Sequence, residues 1–115
     1  MKKLSILIPV YNEGMTIHLI LDKVRDVVLP NKIEKEIIIV NDCSTDNTVE
    51  AIEEYRRLNN TLNFQLHNQN KNQGKGAAIH KAISLATGEY LIIQDADLEY
   101  DPKDYLDLLD PVLEG

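Results

Sequence analysis

The sequence predicts an α/β fold with a mostly parallel sheet, and three observations support this class. Short apolar runs alternate along the chain with segments whose apolar residues recur at steps of three and four, the patterns of buried strands and amphipathic helices. The run at residues 37–40 is continuously apolar and rich in β-branched residues, which is typical of a central strand covered on both faces. Strands that are separated by helices return to the same end of a sheet and therefore run parallel.

The first half of the chain predicts two strands, each followed by a helix. A strand at residues 4–8 ends at Pro9, and a second strand covers residues 36–41. The first helix ends before Pro30 and buries one face, made of Ile17, Ile20, Leu21, Val24 and Val28. The second helix is capped by Ser44 or Thr45 and carries Val49, Ile52, Tyr55 and Leu58.

The second half repeats this order with weaker signals. A strand at residues 63–67 leads through a polar loop to Gly74-Lys75-Gly76. The helix that follows carries Ala78, Ile79, Ala82, Ile83 and Ala86, with Gly88 as its C-terminal residue. A fourth strand covers residues 90–94, and Asp101 with Pro102 opens a last helix.

Composition excludes several classes of protein. The 115 residues suffice for one domain, and 12 Lys and Arg against 19 Asp and Glu give a net charge of −7, which argues against a nucleic-acid partner. A single cysteine cannot form an internal disulfide. No apolar run approaches the roughly 20 residues that span a bilayer, and no signal peptide follows the charged start. We therefore expect a cytoplasmic protein.

Ligands of parallel sheets bind beyond the carboxyl ends of the strands, and two acidic residues follow the fourth predicted strand. Asp95 and Asp97 point the same way if the backbone is extended. Two adjacent carboxylates favour a cation between them, and carboxylate oxygens suit Mg²⁺ or Mn²⁺. The alternative is a solvated acidic turn.

Other polar residues follow the remaining predicted strands. Asp42 has a carboxylate that can accept hydrogen bonds from a base or a ribose, although a simple turn residue is the alternative. Tyr11 offers a ring for stacking, while Asn12 and Glu13 offer polar groups or complement a helix N-terminus. Gly74-Lys75-Gly76 suits a phosphate but matches neither a Walker A loop nor a dinucleotide fingerprint.

Taken together, these segments resemble the family-2 glycosyltransferases of the GT-A fold, a three-layer, Rossmann-like sandwich. The matching text lies at residues 5–13, 39–48, 72–78, 87–90 and 94–102. The resemblance covers nearly the whole chain but only the donor-binding part of the family's catalytic domain. Residues 1–115 are therefore expected to be a truncated, nucleotide-sugar-binding segment, with the catalytic base beyond Gly115. Asp95-Ala96-Asp97-Leu98 with Pro102 looks most like the polyprenyl-phosphate (dolichyl-phosphate type) mannosyl- and glucosyltransferases.

The resemblance implies an inverting, metal-dependent transfer of a hexose from a GDP-mannose or UDP-glucose type of donor. It implies donor-binding roles for Pro9, Tyr11, Asn12, Glu13, Asp42, Lys75 and Asp95, with Asp42 at the base and Lys75 near the diphosphate. The implied ligands of Mg²⁺ or Mn²⁺ are Asp95, Asp97 and Glu99. Cys43 departs from the family, which commonly has glycine at that position.

Several expectations about partners follow. The resemblance implies a polyprenyl-phosphate acceptor and membrane association of the full-length protein. An exposed edge strand and apolar helix faces predict self-association. A non-catalytic nucleotide-sugar-binding or assembly module is the alternative function, and a receiver-type signalling domain is disfavoured because no fifth strand follows.

Overall fold

The computed structural model describes residues 2–96, which form a four-stranded sheet with helices on both faces. The elements in chain order are β1 (Lys3–Val10), α1 (Ile17–Asp26), β2 (Glu34–Asn41), α2 (Thr48–Leu58), β3 (Phe64–Asn68), α3 (Lys75–Leu85) and β4 (Tyr90–Ile93), with a 3-10 turn at Pro30–Lys32. All strand pairs are parallel, so the predicted α/β class is confirmed. The predicted last helix lies outside the described residues.

The strand order is β3-β2-β1-β4, so the order reverses beside β1. The chain first builds outward from β1 through β2 to β3, and then crosses back to add β4 on the other side of β1. Ile6 of β1 lies opposite Ile37 of β2 on one side and Ile92 of β4 on the other. As a result, the carboxyl ends of β1, β2 and β4 meet at one edge of the sheet.

Alternate strand residues form two separate cores, as the period-two pleat requires. The larger core joins one sheet face to α1 and α2 and includes Leu4, Ile6, Ile8, Ile37, Ile39, Ile17, Ile20, Leu21, Val24 and Ile52. The smaller core joins the other face to α3 and consists of Leu7, Ile38, Val40, Ala78 and Ala82. The molecule therefore has the predicted three layers.

The prediction that Pro9 ends the first strand is wrong, because β1 continues to Val10. The Leu7 carbonyl accepts from the Gln94 N–H at 2.9 Å, and the Val10 carbonyl accepts from the Asp42 N–H at 2.9 Å. Alternate residues of β1 thus bond to opposite neighbours, and the nitrogen of Pro9 faces the side of β4, beyond the last residue of that strand. Proline therefore removes no hydrogen bond from the sheet.

The placement of Val28 on the first helix is also wrong. The helix α1 ends at Asp26, Val28 is 83% exposed, and Val27 and Leu29 on either side are buried. Extended backbone after the helix explains this alternation. The helix end is held by Lys35, whose ammonium donates to the carbonyls of Val24, Arg25 and Val27 at 2.9, 2.6 and 2.6 Å.

The predicted cap of the second helix, Ser44 or Thr45, is wrong by two to three residues, because the N-cap position is Asn47. The Thr48 N–H donates to Asp46 Oδ1 at 3.0 Å, and Asn47 precedes the helix without a side-chain cap bond. Ser44 and Thr45 bond elsewhere, as described below. Leu58, which was predicted on the buried face, is exposed at the last position of α2.

Gly88 does not end the third helix, which stops at Leu85. Its N–H donates to Ser5 Oγ at 2.9 Å, and a Cβ atom at Gly88 would lie 2.7 Å from the Lys3 carbonyl oxygen and 2.9 Å from the Ser5 nitrogen. Glycine is needed here because two backbone segments approach closely.

Among the helices of residues 2–96, none combines the length and apolar character that crossing a bilayer requires.

Candidate functional site

A cleft of about 190 Å³ lies at the carboxyl ends of β1, β2 and β4. It opens where the strand order reverses, the position at which doubly wound sheets bind ligands. Its lining consists of Pro9, Val10, Tyr11, Glu13, Asp42, Lys75, Ala78, Asp95 and Ala96. The structure therefore brings together all of the residues predicted to bind the donor except Asn12.

Asp42 contributes a buried carboxylate to the lining of this cleft. Its Oδ1 accepts from the Gln73 N–H at 2.8 Å, and its Oδ2 accepts from the Gly74 N–H at 2.9 Å. Both bonds satisfy backbone donors of the loop that leads into α3. Asp42 thus joins the end of β2 to the start of α3, a role that its position in the sequence does not reveal.

Lys75 and Asp95, which both line the cleft, form an ion pair. Lys75 is the first residue of α3, and it follows Gly74, whose φ of 96° lies in the left-handed region that favours glycine. The Lys75 side chain is 60% exposed, while that of Asp95 is 25% exposed. The pair therefore has one solvated partner and one partner that is largely enclosed.

The side chain of Asn12 faces the loop between β2 and α2. The Asn12 Oδ1 accepts from the Thr45 N–H at 2.8 Å and from the Asp46 N–H at 3.3 Å. The backbone N–H of Asn12 donates to Ser44 Oγ at 2.9 Å. The φ of 53° at Asn12 is left-handed, a conformation that asparagine tolerates better than most residues. These contacts hold the two loops together and explain why Asn12 is absent from the cleft lining.

Further bonds complete this connection, which we call the loop clasp (residues 12–14 against 44–48). The Glu13 N–H donates to Thr48 Oγ1 at 3.0 Å, and the Gly14 N–H donates to Asp46 Oδ2 at 3.2 Å. Hydrogen bonds from Thr48, and then from Gly14, hold the pKa of the Asp46 carboxyl below its ordinary value. The clasp fixes the backbone directly after Tyr11 and on both sides of Glu13.

Sequence reasoning missed two buried polar residues at strand ends. Asn41 is the last residue of β2, and its Oδ1 accepts from the Ser44 N–H at 3.1 Å while its Nδ2 donates to Asn68 Oδ1 at 3.0 Å. Gln94 follows β4, and its Nε2 donates to the Asp95 carbonyl at 3.1 Å. Both could have been found from a polar side chain directly after an apolar strand, since such groups are buried only when they are hydrogen-bonded.

Only one of the predicted metal ligands lies within the described residues. Asp97 and Glu99 lie outside them, and within residues 2–96 no cluster of three His, Cys, Asp or Glu side chains could hold a metal ion. The surroundings of Asp95 are consistent with a cation site, because its carboxylate already pairs with an ammonium group in the cleft. Its hard oxygen atoms are the ligands that Mg²⁺ and Mn²⁺ prefer.

A parallel sheet whose order reverses beside β1, with polar groups from three strand ends around one cleft, has the architecture of a nucleotide-binding α/β domain. Residues 5–115 match the family described as Glycosyl transferase family 2, and the chain belongs to that family. The predicted family is therefore confirmed, while its polyprenyl-phosphate subgroup stays a prediction.

Relatives and solved structures agree with this assignment. The chain is 35% identical over 113 residues to an uncharacterized glycosyltransferase from Synechocystis sp., covering 98% of this chain and 35% of that protein. TarS 1–349 from S. aureus, solved with UDP, aligns over 97% of this chain and 32% of its own with a TM-score of 0.81 at 31% identity. A mannosyltransferase from Pyrobaculum calidifontis, solved with GDP-Man and Mn²⁺, aligns over 91% and 30% with a TM-score of 0.78 at 30% identity.

These likenesses confirm the GT-A fold and define how far the comparison reaches. The chain spans about a third of the length of each of these proteins. UDP, GDP-Man and Mn²⁺ are ligands of those solved structures.

Proposed function

We propose that this chain binds a nucleoside-diphosphate sugar in the cleft and is the donor-binding part of an inverting hexosyltransferase. One observation carries the proposal: four separate segments bring Tyr11, Asp42, Lys75 and Asp95 to the same 190 Å³ cleft. An aromatic ring, a carboxylate and an ammonium group are the groups that recognise a base, its ribose and a diphosphate. Membership of the family and the nucleotides bound by the solved neighbours support it.

Each residue has chemistry that suits one part of such a donor. Tyr11 is 44% exposed, and its ring offers a flat surface to a base. Each carboxylate oxygen of Asp42 accepts one backbone N–H and has a further lone pair for a base or ribose donor. The ammonium group of Lys75 suits the diphosphate.

The proposal includes a divalent cation, Mg²⁺ or Mn²⁺, held by Asp95 together with Asp97 and Glu99. Such an ion, when bound, stabilises the negative charge that grows on the nucleoside-diphosphate leaving group. The solved mannosyltransferase contains Mn²⁺, which supports this part. Asp95 is held toward the cleft by the backbone that follows β4 and by the Gln94 amide on its carbonyl.

The finer assignments rest on the family resemblance. We propose a donor of the GDP-mannose or UDP-glucose type, a polyprenyl-phosphate acceptor, and a catalytic base beyond Gly115. We also propose a cytoplasmic active site on a full-length protein that is associated with the membrane, because a polyprenyl phosphate resides there.

Isothermal titration of UDP-glucose and of GDP-mannose, each with and without Mn²⁺, tests donor binding. We expect one of the two to bind, more tightly with Mn²⁺, and we expect Asp95→Asn and Asp97→Ala to lose that metal-dependent gain. Asp26→Asn is the matched control, because Asp26 is an exposed carboxylate paired with Arg25 at the far end of α1. Absence of binding by either donor, with Asp97→Ala equal to wild type, would refute the proposal.

A turnover assay separates this proposal from a non-catalytic binding or assembly module. Release of nucleoside diphosphate from the bound donor, in the presence of a polyprenyl phosphate, would exclude the non-catalytic module. Tight donor binding with no release by the full-length protein would instead favour that module.

A further inference from the structure

One wall of the cleft depends on contacts between the end of β2 and the start of α3. Lys75 and Ala78 of α3 line the cleft, and so does Asp42, which directly follows β2. We propose that Asp42 is a positioning residue: its carboxylate holds the loop at residues 69–74 and the start of α3 against the sheet, and so fixes this wall around the ligand. The inference rests on the proposed function and deepens it, because it names the residue that shapes the cleft on the side of α3.

Asp42 itself is held firmly by the sheet. Its backbone N–H donates to the Val10 carbonyl at 2.9 Å, and the residue is only 4% exposed. Asn41, directly before it, is also buried, and its side chain bonds to Ser44 and to Asn68. The Asp42 carboxylate therefore has a fixed position from which it can hold a neighbouring loop.

The loop before α3 supplies two consecutive donors to this carboxylate. Asp42 Oδ1 accepts from the Gln73 N–H at 2.8 Å, and Oδ2 accepts from the Gly74 N–H at 2.9 Å. Gln73 is exposed and Gly74 is half-buried, so burial contributes little to fixing this part of the loop. The two hydrogen bonds are therefore a large part of what fixes the loop at this point.

The start of α3 needs an acceptor from outside the helix. Gly74 is its N-cap residue, and its N–H is one of the donors at a helix start that have no partner within the helix. Glycine has no side chain with which to cap the helix, so the acceptor comes from Asp42 instead. A carboxylate at this position also interacts favourably with the helix dipole.

Apolar packing holds α3 to the sheet less strongly than it holds α1. The buried side chains of α3 are the methyl groups of Ala78 and Ala82. Stabilisation by burial grows with the apolar area removed from water, so these methyl groups contribute less than larger side chains do. By contrast, α1 buries four larger side chains, those of Ile17, Ile20, Leu21 and Val24. The hydrogen bonds to Asp42 thus have a larger share in fixing α3.

Amide hydrogen exchange, resolved for single residues by NMR, tests whether Asp42 holds the loop. We expect Asp42→Asn to speed exchange at residues 73 and 74 by roughly ten- to hundredfold, the factor that matches loss of a hydrogen bond to a charged group. Asp46→Asn is the matched control, because Asp46 also lies in the loop after β2 and accepts from the N–H groups of Gly14 and Thr48. It is expected to speed exchange at residues 14 and 48 and to leave residues 73 and 74 unchanged.

A second variant reaches the same contact from the loop and leaves the Asp42 carboxylate in place. Gly74→Ala adds a Cβ atom to a residue whose φ of 96° favours glycine, so the strained backbone is expected to release the two bonds and speed the same exchange. Gly88→Ala is the matched control, because its Cβ atom would crowd Lys3 and Ser5 of β1, and Gly88 does not line the cleft. It destabilises the chain without changing exchange at residues 73 and 74.

Nucleotide affinity separates positioning from a purely structural role. We expect Gly74→Ala to bind UDP or GDP, whichever the wild type binds, roughly three- to tenfold more weakly, because affinity falls with the fraction of molecules whose cleft wall is in place. Gly88→Ala is expected to bind as wild type does. Measurement well below the melting temperature of each variant ensures that folded proteins are compared.

The outcomes distinguish this inference from the proposed function. Unchanged exchange at residues 73 and 74 in Asp42→Asn and Gly74→Ala would overturn the inference, and so would equal weakening of nucleotide binding by Gly74→Ala and Gly88→Ala. Absence of UDP and GDP binding by wild type would refute the proposed function and the ligand part of the inference, while the exchange rates would still decide whether Asp42 holds the loop. Faster exchange in both variants, with weaker nucleotide binding by Gly74→Ala alone of the two glycine variants, supports the inference.

Discussion

Individual residues that follow the strands carry roles that their residue types alone do not disclose. Asn12, expected from the family resemblance to line the nucleotide, instead uses its side chain to hold residues 45 and 46 of the neighbouring loop. Asp42 lines the cleft but also satisfies two backbone donors. Sequence position predicted which residues gather at the strand ends, but their hydrogen-bond partners decide which side chains line the cleft.

Cys43 gives a residue-scale prediction about stability. Its φ of 60° is left-handed, a conformation that costs a residue with a Cβ roughly 1–2 kcal/mol. We expect Cys43→Gly to have a free energy of unfolding about 1 kcal/mol higher than Cys43→Ala, since the two differ only in the Cβ atom. Urea denaturation of both variants measures this difference, and equal stabilities would contradict it.

At the scale of elements, a buried carboxylate connects the amino ends of the strands. Glu36 of β2 accepts from Ser5 Oγ of β1 at 2.7 Å and from Thr87 N–H and Oγ at 2.9 and 2.6 Å. Burial alone would raise the pKa of Glu36, but the hydrogen bonds from Thr87 and Ser5 and the charge of Lys3 outweigh it. The pKa of this carboxyl therefore lies below its ordinary value of 4.5.

This lowered pKa predicts a pH-dependent stability. The ionised carboxylate stabilises the folded state above pH 4.5, and that contribution disappears as the pH falls through the lower pKa of the folded state. We expect Glu36→Gln to unfold about 1–3 kcal/mol more easily than wild type at pH 7, and the two proteins to converge at acidic pH. Denaturation across pH checks this, and a constant difference would contradict it.

Two glycines around α3 form a matched pair of substitutions. A Cβ atom at Gly88 would lie under 3 Å from the backbone of β1, whereas one at Gly76 would contact nothing within 4 Å. Gly88→Ala is expected to lower the free energy of unfolding by about 1–3 kcal/mol through overpacking. Gly76→Ala, inside the helix, is expected to raise it by about 0.5–1 kcal/mol. Thermal unfolding tests both, and effects of the same sign would contradict the prediction.

The fold of the elements was largely predictable, and the errors share a cause. Strand and helix patterns depend on local periodicity, which correctly predicted every element among residues 2–96 except the turn at Pro30–Lys32. Pro9 and Gly88 were misjudged because their environments depend on strands that lie far away in sequence, and Val28 was misjudged because α1 ends at Asp26, where Lys35 binds the last carbonyls of the helix. Proline and glycine in a sequence indicate local turns and helix ends, but they do not indicate which residues of other elements will contact them.

For the whole molecule, self-association stays a prediction that solution measurements can test. Leu91 and Ile93 of β4 are exposed, and within residues 2–96 this strand is an edge of the sheet. We expect light scattering to give a mass above 13.1 kDa that rises with concentration, because apolar edges pair with one another. Ile93→Lys should lower this mass, whereas Leu58→Lys on α2 should not. A monomer at every concentration would contradict the prediction.

The loop clasp has a consequence for attempts to change the ligand preference of this protein. Residues 12–14 and 44–48 are separated by about thirty positions along the chain, yet each loop supplies the hydrogen-bond partners of the other. A loop transplanted alone from a relative would leave the retained loop with unmatched donors and acceptors. The two segments therefore form one exchangeable cassette, and chimeras that move both together are the ones expected to keep an intact cleft.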